Sequence, residues 1–352
     1  MTTTTEPAPA ATKQAAAPRV PLLRLLCAAW YRQKTALIGI LVLYLAAAAF
    51  LEYRYESTRS ALISHHLLDC VDRTFCPNGN FYTILGSTLY LDAAILGVAL
   101  VIGLAVIFGG IRWLTREYES GGFRYTWAQA ASPARWFTAN WLPLIVVTIA
   151  GATVTCVAYQ QWHSLVWTVL DGGNAYDKYG FFTRPAGYLS LAFAALGLGI
   201  LAAATIRRTV PAMAATLAAY AALLYTVVFK LTHWLLSLHT VTTRAAFSWG
   251  QVPGDGYLVR DWWTDAAGRV VPGWQTAGGF DGAVPSPWGT LMAIGNSRTL
   301  NKWVATHHFT YWVSYQPVDR IGTFHAIWAA AFLLLGLLAS GLAIWQVRSR
   351  RP

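Results

Sequence analysis

The sequence predicts an all-α polytopic membrane protein with six transmembrane helices, an N-terminal interfacial helix and a large extracellular loop between helices five and six. Three observations carry this reading. The apolar residues fall in blocks of about 20 rather than along amphipathic stripes, the length needed to cross the hydrocarbon core. Only 12% of the 352 residues are charged, about half the share of a soluble domain. The Lys and Arg residues behind the net charge of +11 sit beside the apolar blocks, where they act as topology determinants. No basic, aromatic-interleaved patch accompanies that charge, so nucleic acid is not an expected partner.

Residues 1–19 begin as low-complexity Thr, Ala and Pro and read as a disordered cytoplasmic tail. Residues 20–33 place Leu22, Leu25, Leu26, Ala29 and Trp30 at helical spacing beside Arg24, Arg32 and Gln33. This run is too short to span and reads as an interfacial helix; a helix packed on the protein's own cytoplasmic face is the alternative. The domain from 20 to 346 then carries spans at about 35–53, 91–112, 141–160, 187–206, 210–230 and 325–346, and 347–352 form a second cytoplasmic tail. Helices are the expected form, because strand alternation is absent and unpaired backbone is prohibitive in lipid. The first block also resembles a signal peptide ending near Ala46–Ala49, but its length and long lead-in favour an uncleaved anchor.

Orientation follows from the basic residues. Lys13, Arg19, Arg24, Arg32 and Lys34 precede the first span, and Arg112, Arg116, Arg124 and Arg135 lie around the loop between spans two and three. Arg207 and Arg208 fill the turn between spans four and five, and Arg348, Arg350 and Arg351 follow span six. The positive-inside rule puts these segments and both termini in the cytoplasm of a multi-pass cell-membrane protein. Residues 54–90, 161–186 and 231–324 are then outside. The last loop is punctuated by PGDG, PGW, GGFDG and PSPWG and studded with Trp234, Trp249, Trp262, Trp263, Trp274, Trp288, Trp303 and Trp312. It reads as turns with interfacial anchors and a small packed core, or as an aromatic vestibule. Its flanks, 231–249 and 303–324, are apolar enough to dip into the membrane as short helices.

Little in the chain suggests chemistry. Cys70 and Cys76, in DCVDRTFC on the expected outer side, suit a disulfide, with two free thiols or a metal pair as alternatives; Cys27 and Cys156 read as packing residues. Eight histidines lie outside or at that interface, yet none shows ligand spacing, so no metal site is assigned. No phosphate-binding loop, nucleophile elbow or His-Glu-x-x-His pair occurs, so no catalytic residue is expected. The spans hold no ionisable residue near their centres, which disfavours an ion-coupled or voltage-driven device. Small residues do form faces for close packing: Ala195, Gly199 and Ala203 in span four, Gly336 and Ser340 in span six. Any work of transport would come from elsewhere.

The loop after span two is the most informative stretch: Arg116-Glu117-Tyr118-Glu119-Ser120-Gly121-Gly122-Phe123, followed by RYTWAQAASPARW. It joins charges, a Gly-Gly turn and aromatics, and looks like a docking surface. Here the sequence resembles the permease subunits of type-2 ABC exporters, particularly an actinobacterial branch. That family carries Arg-Glu-x-Glu-x-Gly-Thr at this place, and Gly122 stands where the Thr is usual. SYQPVDRIGTFHAIW at 314–328 is similar to the family's Tyr-x-Pro-x-x-Arg-x-x-x-Phe lead into the last helix, and WYRQK at 30–34 matches the approach to the first span.

The resemblance implies an ATP-driven exporter. Two permease subunits, identical or related, would each dock a separate ABC-type ATPase subunit that carries the ATP and Mg; this chain would hold no cofactor. Arg116, Glu117, Glu119, Gly121, Gly122 and Phe123 would form the coupling loop, the carboxylates pairing with basic groups of the ATPase. A hydrophobic or amphiphilic substrate would leave outward through the bilayer. Two other readings stay open on the residues alone: a non-transporting sensor or assembly protein with a Trp-rich outer binding loop, and a membrane enzyme acting on lipids.

Overall fold

The computed structural model describes residues 21–64, 97, 100–122, 133–169, 184–245, 256–270, 302, 305–306 and 308–349. Five of its helices are long and apolar enough to cross a membrane. The first, α1 (Leu22–Ser64, 43 residues), is about 65 Å long at 1.5 Å per residue. The expected interfacial helix is therefore not a separate element; it is the first third of α1. Its buried positions explain the continuity. Ala29, Gln33, Leu37, Ile40, Tyr44, Ala48, Leu51, Thr58 and Leu62 recur every three or four residues and keep one seam turned inward from end to end. Polar Gln33 lies within that seam, so its hydrogen bonds, not a helix break, accommodate it.

Residues 100–105 are helical, Val106–Ile111 form a π-helical turn, and α2 (Arg112–Ser120) follows. The predicted span at 91–112 thus lies only partly within the described residues, and the count of six is not reached among them. Next come α3 (Pro133–Val169), α4 (Pro185–Ile206) and α5 (Thr209–Thr226). A π-helical turn, Val227–Leu231, leads from α5 into the short α6 (Thr232–Leu236). The last helix, α7 (Ile321–Ser349), is entered through a 3-10 turn at Val318–Arg320.

Two tight seams hold the bundle: α1 on α3, and α4 on α7. In the first, Thr155 Oγ1 donates to the Tyr44 carbonyl (3.2 Å), and Trp162 Nε1 donates to Thr58 Oγ1 (3.0 Å). In the second, the backbones meet at Gly197 and Gly336. A Cβ on Gly197 would stand 2.7 Å from the Gly336 carbonyl oxygen, so only glycine permits this approach. The expected small faces are buried here, with Ala195, Gly199 and Ala203 on α4 and Gly336 and Ser340 on α7; Gly197 belongs with them.

The all-α expectation needs one correction. Between α6 and α7 the chain forms a three-stranded antiparallel sheet in the order β1-β3-β2, from β1 (Val241–Arg244), β2 (Tyr257–Thr264) and β3 (Thr310–Gln316). Among the described residues of the flanks expected to be short helices, 231–249 holds α6 and β1, and 303–324 holds β3 followed by the 3-10 turn and the start of α7. Thr242 pairs with Ser314 and Trp262 with Trp312. Trp262 and Trp312 stack at 6.4 Å with planes 7° apart, while Arg244 and Arg260 lie 5.1 and 5.6 Å over Trp312 and Trp262. On the other face Trp263 is fully buried against Tyr311, at 4.7 Å. These tryptophans build a small packed core in the sheet.

The sheet is locked to the last helix by the 314–328 motif. Gln316, with no exposed surface, donates through Nε2 to the carbonyls of Leu236 (3.0 Å) and Leu238. Arg320 Nη1 donates to the His239 carbonyl (2.6 Å), and Phe324 is buried in the main core. Cys70 and Cys76 lie outside the described residues. Cys156 is buried, but Cys27 is exposed, so the packing expectation fails for Cys27.

Candidate coupling site

The site grows from the end of α2. Leu114 and Thr115 are its buried residues, and Trp113 rests on Trp136 (5.5 Å) and Phe137 (5.8 Å) of α3. That aromatic packing fixes the axis of α2 and therefore the positions of the polar residues that follow. Helix α2 stops at Gly121, which takes a left-handed conformation (φ 69°) and donates its N–H to the Tyr118 carbonyl (3.3 Å). Nothing crowds Gly121, so its backbone conformation alone calls for glycine.

Four contacts then tie this end to the rest of the bundle. Glu117 forms an ion pair with Arg32 of α1; its side chain is 14% exposed and that of Arg32 48%. Glu119 Oε1 accepts the backbone N–H of Thr209 (2.7 Å). Thr209 is the first residue of α5, and the N-cap Arg208 supplies no side-chain bond to the helix start. Glu119 therefore caps α5 from a different helix, satisfying an otherwise open donor and placing a negative charge at the positive end of the dipole. Thr209 Oγ1 also donates to Thr115 Oγ1 (2.9 Å). Finally, Arg207, itself left-handed (φ 60°) at the end of α4, holds its guanidinium 5.2 Å over the Tyr118 ring.

Glu117 and Glu119 were expected to reach out to a partner. The structure instead engages both within the chain, Glu117 with α1 and Glu119 with the α4–α5 turn. Arg116 is exposed. Gly122 donates its N–H to Ser120 Oγ (3.4 Å), and a Cβ on it would stand 3.0 Å from Glu117 Oε2. A larger residue there would press on the carboxylate bound to Arg32, which gives Gly122 a local reason in this chain. Phe123 lies outside the described residues. Arg32 and Thr209 were not predicted as site residues. The basic cluster before the first span and the Arg207–Arg208 turn were the only signals pointing toward them.

Beside the ion pair a cleft of about 820 Å³ opens between α1, α2 and α3. Arg32, Arg112 and Arg116 line its polar part with Gln33 and Trp113; Ile40, Leu43 and Leu104 line its apolar part. Gln33 is 4% exposed. Its Nε2 donates to the carbonyl oxygen (3.1 Å) and Oδ1 (3.0 Å) of Asn140, whose Nδ2 donates to the Trp136 carbonyl (2.8 Å). Among the described residues no cluster of His, Cys, Asp and Glu is arranged to hold a metal.

Residues 40–233, more than half of the chain, match the model of the family described as ABC-2 membrane transporter related. The matched stretch holds most of α1, all of the 112–122 segment, and α3 to α5. No curated protein and no solved structure matches the chain.

Proposed function

The chain belongs to the ABC-2 membrane transporter related family, and from that premise we propose that it is the membrane-spanning permease subunit of an ATP-driven exporter. In this reading the actinobacterial type-2 exporters, with their REYESGG-like loop and the pattern at 315–324, are its nearer kin. A separate ABC-type ATPase binds ATP and Mg and docks at the Arg-rich end, which faces the cytoplasm together with both termini. A second permease subunit, a copy or a relative, completes the pathway, and a hydrophobic or amphiphilic substrate leaves outward.

The observation that supports this most is the bracing of α2. A push on residues 116–122 is delivered through Glu117 to α1 and through Glu119 and Tyr118 to the α4–α5 turn. The carboxylates therefore transmit movement into the spans rather than serving as the docking contacts. The neighbouring groups Arg116, Gly121, Gly122 and Phe123 complete the loop on which the ATPase acts.

The test is co-purification of the full-length chain with the ATPase encoded nearest to it, followed by ATPase-dependent export in the reconstituted pair. Glu117→Ala and Glu119→Ala should leave the complex assembled but uncouple hydrolysis from export. Failure of the intact chain to associate with any ATPase would sink the reading, as would full export in the Glu117→Ala, Glu119→Ala double variant.

A further inference from the structure

We infer that the cleft between α1, α2 and α3 is a binding site for a phosphate-bearing amphiphile with a hydroxylated headgroup, taken from the leaflet at the Arg-rich end. The inference deepens the exporter reading by naming a ligand class, and it rests on that reading only for placing this end at the cytoplasmic leaflet.

The cleft is chemically divided. Its polar part holds three guanidinium groups, Arg32, Arg112 and Arg116, against one carboxylate, Glu117. That carboxylate is already bound to Arg32, so the wall keeps an excess of positive charge contributed by Arg112 and Arg116. Planar guanidinium groups suit a phosphate, which accepts several donors at once. The apolar part, along Ile40, Leu43 and Leu104, suits a hydrocarbon tail. A soluble anion would use the first half and leave the second empty.

Two further atoms narrow the headgroup. Gln33 must point its amide nitrogen at Asn140, because both partners there are acceptors and the second is fixed by the Asn140–Trp136 bond. Its Oε1 is therefore an oriented acceptor, and among the described residues it has no hydrogen-bond partner. Trp113 Nε1, in the same wall, is a donor likewise unpaired among the described residues. Neither atom has accessible surface, so a headgroup meets them only once the Gln33 and Trp113 side chains turn toward the cleft they line; leaving such groups sheltered and unpaired is costly, and a ligand that satisfies them recovers that cost. An acceptor awaiting a hydroxyl and a donor awaiting an oxygen describe a phosphate ester of a polyol. A quaternary ammonium headgroup offers no donor to Gln33 and would meet the arginines with its own positive charge.

Native mass spectrometry of the delipidated full-length protein in detergent tests this with phosphatidylglycerol, phosphatidic acid, phosphatidylcholine and glycerol 3-phosphate. Phosphatidylglycerol should bind about tenfold more tightly than phosphatidylcholine and more tightly than phosphatidic acid, and glycerol 3-phosphate should not displace it. Arg112→Gln and Arg116→Gln should each weaken binding about fivefold, while Arg348→Gln, an exposed arginine elsewhere, should not. Gly39 lines the cleft and has open space at its Cβ position, so Gly39→Trp should abolish binding with every charge kept and the fold intact.

Equal binding of phosphatidylcholine or phosphatidic acid would overturn the inference. So would full displacement by glycerol 3-phosphate, an Arg348→Gln effect as large as that of Arg112→Gln, or undiminished binding in Gly39→Trp. The assay contains no ATPase, so its failure is distinguishable from failure of the exporter reading.

Discussion

Replacing Glu119 by Ala isolates the cap that joins α2 to α5. The wild-type bond is a charge-assisted hydrogen bond of 2.7 Å onto the Thr209 N–H. Such bonds contribute about 1.5–3 kcal/mol when sheltered, and about 1 kcal/mol at an exposed site like this one. The carboxylate's place at a helix N-terminus adds a few tenths of a kcal/mol. The sum is about 1.4 kcal/mol, or about tenfold in the equilibrium for local opening. Hydrogen–deuterium exchange over residues 207–213 in nanodiscs should therefore speed up about tenfold in Glu119→Ala. In Glu119→Gln, which keeps an acceptor but loses the charge, the increase should be roughly threefold. A second variant closes the cycle. Thr209→Pro removes the N–H at a first helical position that tolerates proline, and Arg208 before it is already extended (φ −117°, ψ 134°). In that background Glu119→Ala should cost about 1 kcal/mol less in denaturant unfolding. Unchanged exchange at 207–213, or strict additivity of the two substitutions, would refute the cross-helix cap.

Three further outcomes follow from the packing and the sheet. Gly197→Ala should lower the melting temperature through about 1–3 kcal/mol of overpacking against the Gly336 carbonyl, whereas Gly341→Ala, with open space around its Cβ, should leave thermal unfolding in detergent unchanged. Gln316→Ala should strand the Leu236 and Leu238 carbonyls at about 1–3 kcal/mol, and hydrogen–deuterium exchange in β1 and β3 should then speed up with the helices still protected. Hydrogen bonds from the Arg269 backbone N–H, the Arg269 side chain and the Ala267 N–H hold the Asp265 carboxyl below its ordinary range. A depressed carboxyl contributes stability above its unfolded value of about 3.9 and loses it as pH falls through the folded value. Amide protection at Ala267 and Arg269 should therefore hold at neutral pH and decay only below about pH 4.

The helices were legible because a hydrocarbon-length apolar run admits few other structures: four of the six predicted blocks fall wholly within long described helices, and a fifth, 210–230, does so for all but its last four residues. The break expected before the first span was misread for a specific reason. Arg32 and Gln33 look like an interruption in a linear sequence, yet one is bound by Glu117 and the other by Asn140, so the helix passes through them unbroken. The sheet was missed for the opposite reason. Its strands are short, and its partners are far apart in the chain, as Thr242 with Ser314, so neither local alternation nor a hairpin signal announces it. Arg116 to Gly122 stood out as a motif, but which way its carboxylates turn depends on Arg32 and Thr209, residues about 85 and 90 positions away. Sequence pattern singled out the segment; only the packing of α2 on α3 determined what it touches.

The unbroken length of α1 gives a small local movement a large reach. From Arg32 to Ser64 the helix runs about 48 Å at 1.5 Å per residue. If Arg32 is the fulcrum, a rotation of about 10° swings the distal tip by about 8 Å at that length. A bent or segmented helix would dissipate the same swing at its joint. On the exporter reading proposed above, this unbroken helix would carry a tilt set at its Arg32 end through to its far end at Ser64.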